Sequence, residues 1–175
     1  METLYDPVQS HIGDFRPQIT LCPELWEKFN LEGIDVDYSK WEHVKMIESG
    51  DLSEEINRIP SDYGGIYVYA IVPPVIPTCG VYLMYIGKAT KTQNENLRAR
   101  VRAYKKQFGK KYNRSKLHTL FTQWGEYVYV YYLPMDSSAE DIKELEDRLI
   151  AAYGKPPCNK EVLIKTVKDA VDAVL

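Results

Sequence analysis

Three segments rich in β-branched and aromatic residues constrain the fold of this 175-residue chain more than any other feature. The first two are GIYVYAIV, from Gly65, and GVYLMYIG, from Gly80, and a proline-rich connection separates them. This composition is typical of strands, so we expect the two to pair as an antiparallel hairpin. The third segment, EYVYVYYL from Glu126, alternates as a strand and ends at Pro134. The chain is long enough for one compact domain around the resulting sheet.

Helix signals precede these strands. Ser39-Lys40-Trp41-Glu42 has the spacing of a capping box, in which a serine and a glutamate satisfy free amide groups at a helix start. It predicts a helix that ends at Gly50. A second short helix is predicted over 51–58, stopped by Pro60. Residues 1–62 are therefore predicted to form a helical N-terminal extension.

Further helices are predicted after the second strand. They run from Asn94 or Asn96 to Phe108, over 115–124, over 141–153 behind a second capping box at Ser137-Ser138-Ala139-Glu140, and over 160–174 as an amphipathic helix. The prediction is an α+β domain over 63–160, with a small three-stranded antiparallel sheet flanked by helices. The C-terminal helix, within 161–175, is expected to pack on this domain.

Charge is strongly segregated along the chain, although the net charge is only −3. Residues 1–62 carry 14 acidic and 5 basic residues, residues 63–135 carry 2 and 11, and residues 136–175 carry 9 and 6. All eleven basic residues of the middle block fall between Lys88 and Lys116, where Glu95 is the only acid. Such a cluster is typical of a phosphate-binding surface, with a merely solvated basic helix as the alternative.

A phosphate-bearing partner such as a nucleic acid is what this basic block predicts. The side chains expected to contact DNA are Arg98, Arg102, Lys105, Lys106, Lys110, Lys111, Arg114 and Lys116. No apolar run approaches the roughly 20 residues that span a bilayer, and the first residues lack the pattern of a signal peptide. We therefore expect a cytoplasmic protein without a membrane partner. The cysteines have neither metal-binding nor disulfide spacing and are expected to be free thiols.

Two charged residues lie on faces that are otherwise apolar. Arg100 shares a helix face with Tyr104 and Leu97, so its guanidinium points toward the sheet and needs an anionic partner, either a phosphate or an acidic side chain. Glu146 lies within the apolar stripe of its helix, where an ionised carboxylate is costly unless a cation compensates it. Glu144 and Asp147 are expected to point outward instead.

Gly65-Ile66-Tyr67 and Tyr85-Ile86-Gly87 resemble the two elements that name the GIY-YIG nuclease family. Lys88 follows the second element, LRARVRAY then supplies Arg100 and Tyr104, and LEDRLIAAYGKPPCN supplies Glu146 and Asn159. The resemblance covers 63–160, with every motif in order. It implies a three-stranded sheet flanked by helices and hydrolysis of DNA with one divalent metal, Mg²⁺ or Mn²⁺, held by Glu146.

The resemblance also implies a catalytic set: Tyr67, Tyr85, Lys88, Arg100, Tyr104, Glu146 and Asn159. One of the strand tyrosines would activate water with the lysine assisting, and Lys88 and Arg100 are expected to lower the pKa of that phenol. Of the two, we favour Tyr67 over Tyr85. Asn159 would order the site. Tyr104 stands where relatives have histidine or tyrosine.

The expected function is a metal-dependent DNA endonuclease, with a restriction or defence enzyme on duplex DNA as its narrower form. The alternative is a non-catalytic DNA-binding or protein-interaction module that keeps the nuclease fold. A palindromic target would favour a homodimer, because a two-fold axis would match the two halves of such a site.

Overall fold

A computed structural model describes residues 17–19, 21–30, 38–76, 79–108 and 115–160. The strands are β1 Glu42–Lys45, β2 Ile47–Glu48, β3 Asp51–Leu52, β4 Gly64–Ile71, β5 Tyr82–Ala89 and β6 Val128–Met135. The α-helices are α1 Pro23–Lys28, α2 Leu97–Arg102, α3 Ser115–Trp124 and α4 Ala139–Ala152, with 3-10 segments at Tyr38–Lys40, Glu54–Arg58, Ala103–Gln107 and Gly125–Tyr127. The predicted C-terminal helix over 161–175, and also Lys110, Lys111 and Arg114, lie outside the described residues. None of the helices within these ranges is long and apolar enough to cross a membrane.

The main sheet has four antiparallel strands in the order β1-β6-β4-β5, and β2 and β3 form a separate two-stranded ribbon. Tyr67 on β4 lies opposite Gly87 of β5 on one side and opposite Tyr132 of β6 on the other. The predicted antiparallel pairing of β4 with β5 and the α+β class are confirmed. The prediction of three strands is wrong, because residues 42–45 add β1 to the sheet beside β6.

That fourth strand comes from the segment that was predicted to be helical. Only a 3-10 turn lies at Tyr38–Lys40, and β1 begins two residues later. Val44 on β1 is fully buried opposite Val130, and the backbone N–H of Lys45 donates to Glu55. A capping box is a local signal worth about 1 kcal/mol. Pairing with β6 and burial of the segment outweigh it, because tertiary context overrides local propensity.

The second predicted helix of the extension, over 51–58, is also wrong as an α-helix. Residues Asp51–Leu52 form β3, and the 3-10 segment Glu54–Arg58 follows, with the Ser53 hydroxyl accepting from the backbone N–H of Glu55. Ile56 and Ile59 from this stretch are buried in the same core as Tyr67. The described part of the extension is therefore built into the domain.

Side chains of the sheet alternate between two cores. On the first face, named here the tyrosine face, Tyr67 and Tyr69 pack against α2, α3 and the segment Glu54–Arg58. On the second, named here the α4 face, Ile66 and Val68 pack beneath α4. Successive residues of one strand therefore serve different cores, as the period of two along a strand requires.

The helix α4 has the predicted capping box, but one residue later. Ser138 is the N-cap, its hydroxyl accepts from the backbone N–H of Asp141 at 3.1 Å, and the Asp141 carboxylate accepts from the Ser138 backbone N–H at 3.2 Å. Two consecutive serines precede two consecutive acids, so the sequence allows either register. The helix ends at Ala152, and Gly154 follows with a φ of 57°.

We predict that Ile56→Ala lowers the free energy of unfolding by about 2–5 kcal/mol, because a buried isoleucine leaves a cavity when truncated. Ile56 is 1% exposed. Ile76→Ala is the control, since Ile76 is 62% exposed and its truncation should change stability by less than about 0.5 kcal/mol. Denaturant unfolding of both variants measures the difference. Equal stabilities would show that the extension is not part of the core.

Candidate active site

Two glycines allow a close approach of strands and rings on the tyrosine face. Gly65 has a φ of 139°, and a Cβ built there would lie 2.0 Å from the carbonyl oxygen of Leu133. A Cβ on Gly87 would lie 2.6 Å from the hydroxyl oxygen of Tyr67 and 2.8 Å from Cε1 of Tyr85. No real Cβ contact is this short, so both tyrosine rings lie where they do only because residue 87 has no side chain.

Three phenols converge next to Gly87. The hydroxyl oxygens of Tyr67 and Tyr104 are 2.8 Å apart, and the Tyr104 hydroxyl donates to that of Tyr85 at 3.3 Å. The three rings lie 5.9–6.2 Å from one another, within the usual range for aromatic pairs. Tyr67 is fully buried and Tyr104 is 5% exposed, whereas Tyr85 is half-buried. Tyr85 is therefore the member of this group that solvent or a substrate can reach.

The guanidinium of Arg100 joins the phenols from α2. Tyr67, Tyr104 and Glu95 are the groups that interact with its charge, and its Nε lies 3.8 Å from Oε1 of Glu95, which is too long for a hydrogen bond. Burial lowers the pKa of this guanidinium, but its contacts with Tyr67, Tyr104 and Glu95 outweigh burial and raise it. Arg100 is therefore a permanent cation whose buried Nε has no hydrogen-bond partner among the described residues.

The preference for Tyr67 as the base is not supported by its surroundings. Burial, followed by the neighbouring Tyr104 and Tyr85, holds the pKa of Tyr67 well above its usual value. The expectation that nearby cations lower the pKa of this phenol is therefore wrong. A phenol that is sealed from solvent and hard to ionise is a poor acceptor for a proton from water.

Lys88 and Glu146 form a second group, on the α4 face. Lys88 lies opposite Ile66, whose side chain belongs to the core beneath α4, and its ammonium donates to the Glu146 carboxylate. The side chain of Glu146 is 15% exposed. Lys88 is thus the cation that compensates the Glu146 carboxylate within the apolar stripe of its helix.

The carboxylate oxygens of Glu146 are suitable ligands for a hard divalent cation, but few other protein ligands lie near them. The described residues contain no group of three or more His, Cys, Asp or Glu side chains able to hold a metal ion. One carboxylate can suffice for Mg²⁺, because this ion keeps several waters and takes other oxygens from a substrate phosphate. The ammonium of Lys88 already occupies the cation position beside the carboxylate, so an ion bound there would have to displace it.

The predicted catalytic residues are thus divided between the two faces of the sheet. Tyr67, Tyr85, Tyr104 and Arg100 lie together on the tyrosine face, whereas Lys88 and Glu146 meet on the α4 face. The groups come nearest in sequence at the consecutive residues Gly87 and Lys88 of β5, the edge strand. Side chains of these two positions point to opposite faces, as strand geometry requires.

Asn159 connects the end of α4 to this edge strand. Its side chain accepts from the Ile86 backbone N–H at 2.9 Å and donates to the Ile86 carbonyl at 2.9 Å. The backbone N–H of Cys158 donates to the Met84 carbonyl at 2.8 Å. The segment therefore pairs along the outer edge of β5, and Asn159 fixes the residue between Tyr85 and Gly87. Asn159 is a positioning residue in this arrangement.

Four of the predicted DNA-binding side chains bond to the protein itself. Lys105 forms an ion pair with Asp51 at 2.6 Å, Arg102 donates to Asn57, Arg98 donates to the Ile59 carbonyl at 2.5 Å, and Lys116 donates to the Pro157 carbonyl at 2.9 Å. Lys106 is exposed. The partners at 51–59 belong to the acidic first third of the chain. Its negative charge is the sequence feature that could have predicted contacts with the basic block.

The acidic neighbours of Glu146 differ from each other. Glu144 is exposed and pairs with Arg148 at 2.7 Å, as its outward position predicts. Asp147 was expected to be solvated too, but one of its carboxylate oxygens is buried without a hydrogen-bond partner in the described part of the chain. The helix α1 packs on this side of α4, and Phe29, which follows α1, lines a cavity together with Asp147. This packing explains why Asp147 is less exposed than predicted.

Comparisons with known proteins add nothing to this geometry: no family model, curated protein or solved structure matches the chain. The functional argument consequently rests on the residues and contacts described above.

We predict that Gly87→Ala displaces the Tyr67 and Tyr85 rings and lowers the free energy of unfolding by about 1–3 kcal/mol, the usual cost of overpacking. Denaturant unfolding measures this cost. The same substitution should cost less in a Tyr67→Leu background, which lacks the Cζ and hydroxyl that the new methyl would meet. An identical cost in both backgrounds would mean that this contact is not the reason for the glycine.

Proposed function

We propose that this protein is a metal-dependent endonuclease of the GIY-YIG type that hydrolyses DNA phosphodiester bonds. One observation carries the proposal: edge strand β5 brings a half-buried phenol, Tyr85, and an ion pair, Lys88 with Glu146, to positions three residues apart. Phosphodiester hydrolysis needs an activated water, cations for the developing charge and help for the leaving oxygen. These side chains are chemically suited to the three tasks.

Tyr85 is the proposed general base, because it is half-buried whereas Tyr67 and Tyr104 are buried. Arg100 is the proposed clamp on the phosphoryl oxygens, since its charge is permanent and its buried Nε can still donate. Glu146 would hold Mg²⁺ or Mn²⁺. When bound, such an ion would supply Lewis-acid stabilisation of the phosphate and of the leaving oxygen.

Lys88 has a second role in this proposal. Its ammonium neutralises Glu146 while no metal is bound, which removes the cost of a lone buried carboxylate. Once displaced, the ammonium can donate to a phosphoryl oxygen, because its side chain is 31% exposed and flexible. Lys88 then acts as a cation near the scissile phosphate.

The substrate phosphate is proposed to lie at the edge of β5 next to Gly87, where the two groups of side chains are closest in sequence. Asn159 covers this edge at Ile86. The backbone N–H of Lys88 points the same way as that of Ile86, because amide directions repeat every two residues along a strand. An amide donor at the edge therefore adds to the cations on both sides of the strand.

Nucleic-acid contacts are proposed for the basic residues around α2. Lys106 is exposed, and the pairs of Lys105 with Asp51 and of Arg102 with Asn57 are exposed enough for phosphates to displace. Arg98 is half-buried on a carbonyl group and serves the fold first. The narrower proposal remains a cytoplasmic restriction or defence enzyme on duplex DNA, with a homodimer if the target is palindromic.

A non-catalytic binding module is the second candidate. The observation in its favour is that residues of the acidic segment, Asp51 and Asn57, already occupy two basic side chains. A non-catalytic binding module, however, gives no reason for the Glu146 carboxylate within the apolar stripe of α4. Cleavage assays distinguish the two candidates.

In a plasmid-nicking assay with Mg²⁺ or Mn²⁺, we expect the wild-type protein to nick DNA and Glu146→Gln to lose at least about 100-fold in rate, as loss of the metal ligand predicts. Glu144→Gln is the matched control on the same helix, because Glu144 is exposed and pairs with Arg148. Its rate should stay within about twofold of wild type. Absence of nicking by the wild type, or equal rates for both variants, overturns the enzymatic proposal.

DNA-binding measurements over a range of salt concentrations test the proposed interface. Lys106→Gln should weaken binding and reduce the slope of log affinity against log salt by about 1, since one phosphate contact is lost. Asp51→Asn should tighten binding, because it frees Lys105. Lys143→Gln, an exposed residue of α4 away from the block, is the control. If all three variants bind like wild type, the basic block is not the interface.

A further inference from the structure

The ion pair of Lys88 with Glu146 isolates both side chains from other charges. Within the described ranges, each has the other as its only ion-pair partner. The neighbours of Glu146 one turn away on α4 are the apolar residues Ile142, Leu149 and Ile150. Any other group that binds the Glu146 carboxylate therefore has to act on Lys88.

The Glu146 carboxylate can accept a second cation only at a cost. A divalent ion and an ammonium on the same carboxylate repel each other at short range. The repulsion is stronger than in water, because the Glu146 side chain is mostly buried and the local dielectric constant is lower there. Lys88 must therefore turn away before Glu146 can hold a divalent ion, and the free energy of that movement weakens binding of the ion.

The ammonium of Lys88 has a second position available, toward the outer edge of β5. A lysine carries three donors on a flexible stem of four carbons, and the Lys88 side chain is partly exposed. Lys88 belongs to β5, the edge strand beside which the substrate phosphate is proposed to lie. A phosphate at that edge would compensate the ammonium after it has left Glu146.

We propose that Lys88 couples metal binding to DNA binding. While no DNA is present, its ammonium opposes a divalent ion at Glu146, and a DNA phosphate that attracts the ammonium removes this opposition. The effect is reciprocal, because a coupling free energy between two sites acts equally in both directions. This inference rests on the proposed function in two respects, that Glu146 is the metal ligand and that DNA binds beside β5. It adds regulation, since the site would be completed only when DNA is bound.

Lys88 is not the only source of coupling in such a site, because a divalent ion also ligates the phosphate directly. The two sources differ in the protein without DNA. Direct ligation is then absent, whereas the opposition by Lys88 is at its strongest. Removal of the Lys88 ammonium should therefore improve metal binding most when no DNA is present.

The test measures Mn²⁺ binding to the full chain by electron paramagnetic resonance, with and without a short DNA duplex of mixed sequence, corrected for Mn²⁺ bound by the duplex alone. Without DNA, Lys88→Met should bind Mn²⁺ at least about tenfold more tightly than wild type, within the usual range of coupling. The factor by which DNA tightens Mn²⁺ binding should fall correspondingly. Lys91→Met is the control, because it removes the same charge from an exposed side chain that bonds to the Ser61 carbonyl. Its affinity should stay within about twofold of wild type.

A second measurement allows for the lower stability expected of Lys88→Met, which leaves Glu146 without a cation. Mn²⁺ should raise the thermal midpoint of Lys88→Met more than that of wild type, because an ion that binds the native state more tightly stabilises it more. Lys88→Gln, whose amide can still donate to Glu146, should behave alike. Addition of Glu146→Gln to either variant should abolish the shift. A variant that stays unfolded with Mn²⁺ present counts against the inference, since the ion should replace the missing ammonium.

The outcomes separate this inference from the proposed function. If Lys88→Met binds Mn²⁺ no more tightly than Lys91→Met, Lys88 does not oppose the ion, and the inference is overturned even in a protein that nicks DNA. Tighter binding that requires Glu146, in a protein without nuclease activity, supports the opposition by Lys88 and overturns the enzymatic proposal. Absence of Mn²⁺ binding in every variant, with DNA and without it, overturns both.

Discussion

The contact between Tyr67 and the bare Cα of Gly87 is the constraint on which the candidate site depends. With the Tyr67 hydroxyl 2.6 Å from where a Cβ would lie, any side chain at residue 87 would displace the Tyr67 ring. The same contact brings Tyr67 within reach of Tyr104 and leaves Tyr85 at the accessible end of the group. A glycine on an edge strand thus determines which phenol is buried and which meets solvent, and with that the chemistry available to each.

Two charged side chains of the helices that flank the sheet, Glu146 and Arg100, each lie beside a side chain of opposite charge. Glu146 is matched by Lys88 on the α4 face, and Arg100 is matched in part by Glu95 on the tyrosine face. Neither match is complete, because the Arg100 Nε lacks a hydrogen bond and the Lys88 side chain is partly exposed. Incomplete compensation on both sides of one edge strand is what the proposed binding of a phosphate and a metal ion requires, since each would improve an electrostatic pairing that the protein alone leaves incomplete.

The strands β4 and β5 could be predicted from the sequence because β-branched and aromatic residues alternate over their full length. β1 could not, because its four residues carry a weak local pattern and owe their conformation to pairing with Val130 and its neighbours, far along the chain. The candidate site residues were chosen by residue type and motif, and their division between two faces was not predicted. That division was available in principle: Tyr85 and Lys88 are an odd number of positions apart on one strand, so their side chains point to opposite faces. The convergence of the three phenol oxygens had no sequence signal, since it depends on which oxygens the fold brings together.

The described end of the acidic first third and the described part of the basic block belong to one folded unit, which changes the meaning of the charge segregation. The segment 51–59 buries Ile56 and Ile59 in the tyrosine-face core while its polar groups bind Lys105, Arg102 and Arg98. An exposed pair such as Lys105 with Asp51 contributes at most about 1 kcal/mol and is weakened by salt. Several phosphates of a nucleic acid, by contrast, act together through release of counterions. The acidic segment therefore orders the basic side chains through pairs weak enough for a polyanion, such as the DNA proposed as substrate, to compete with them.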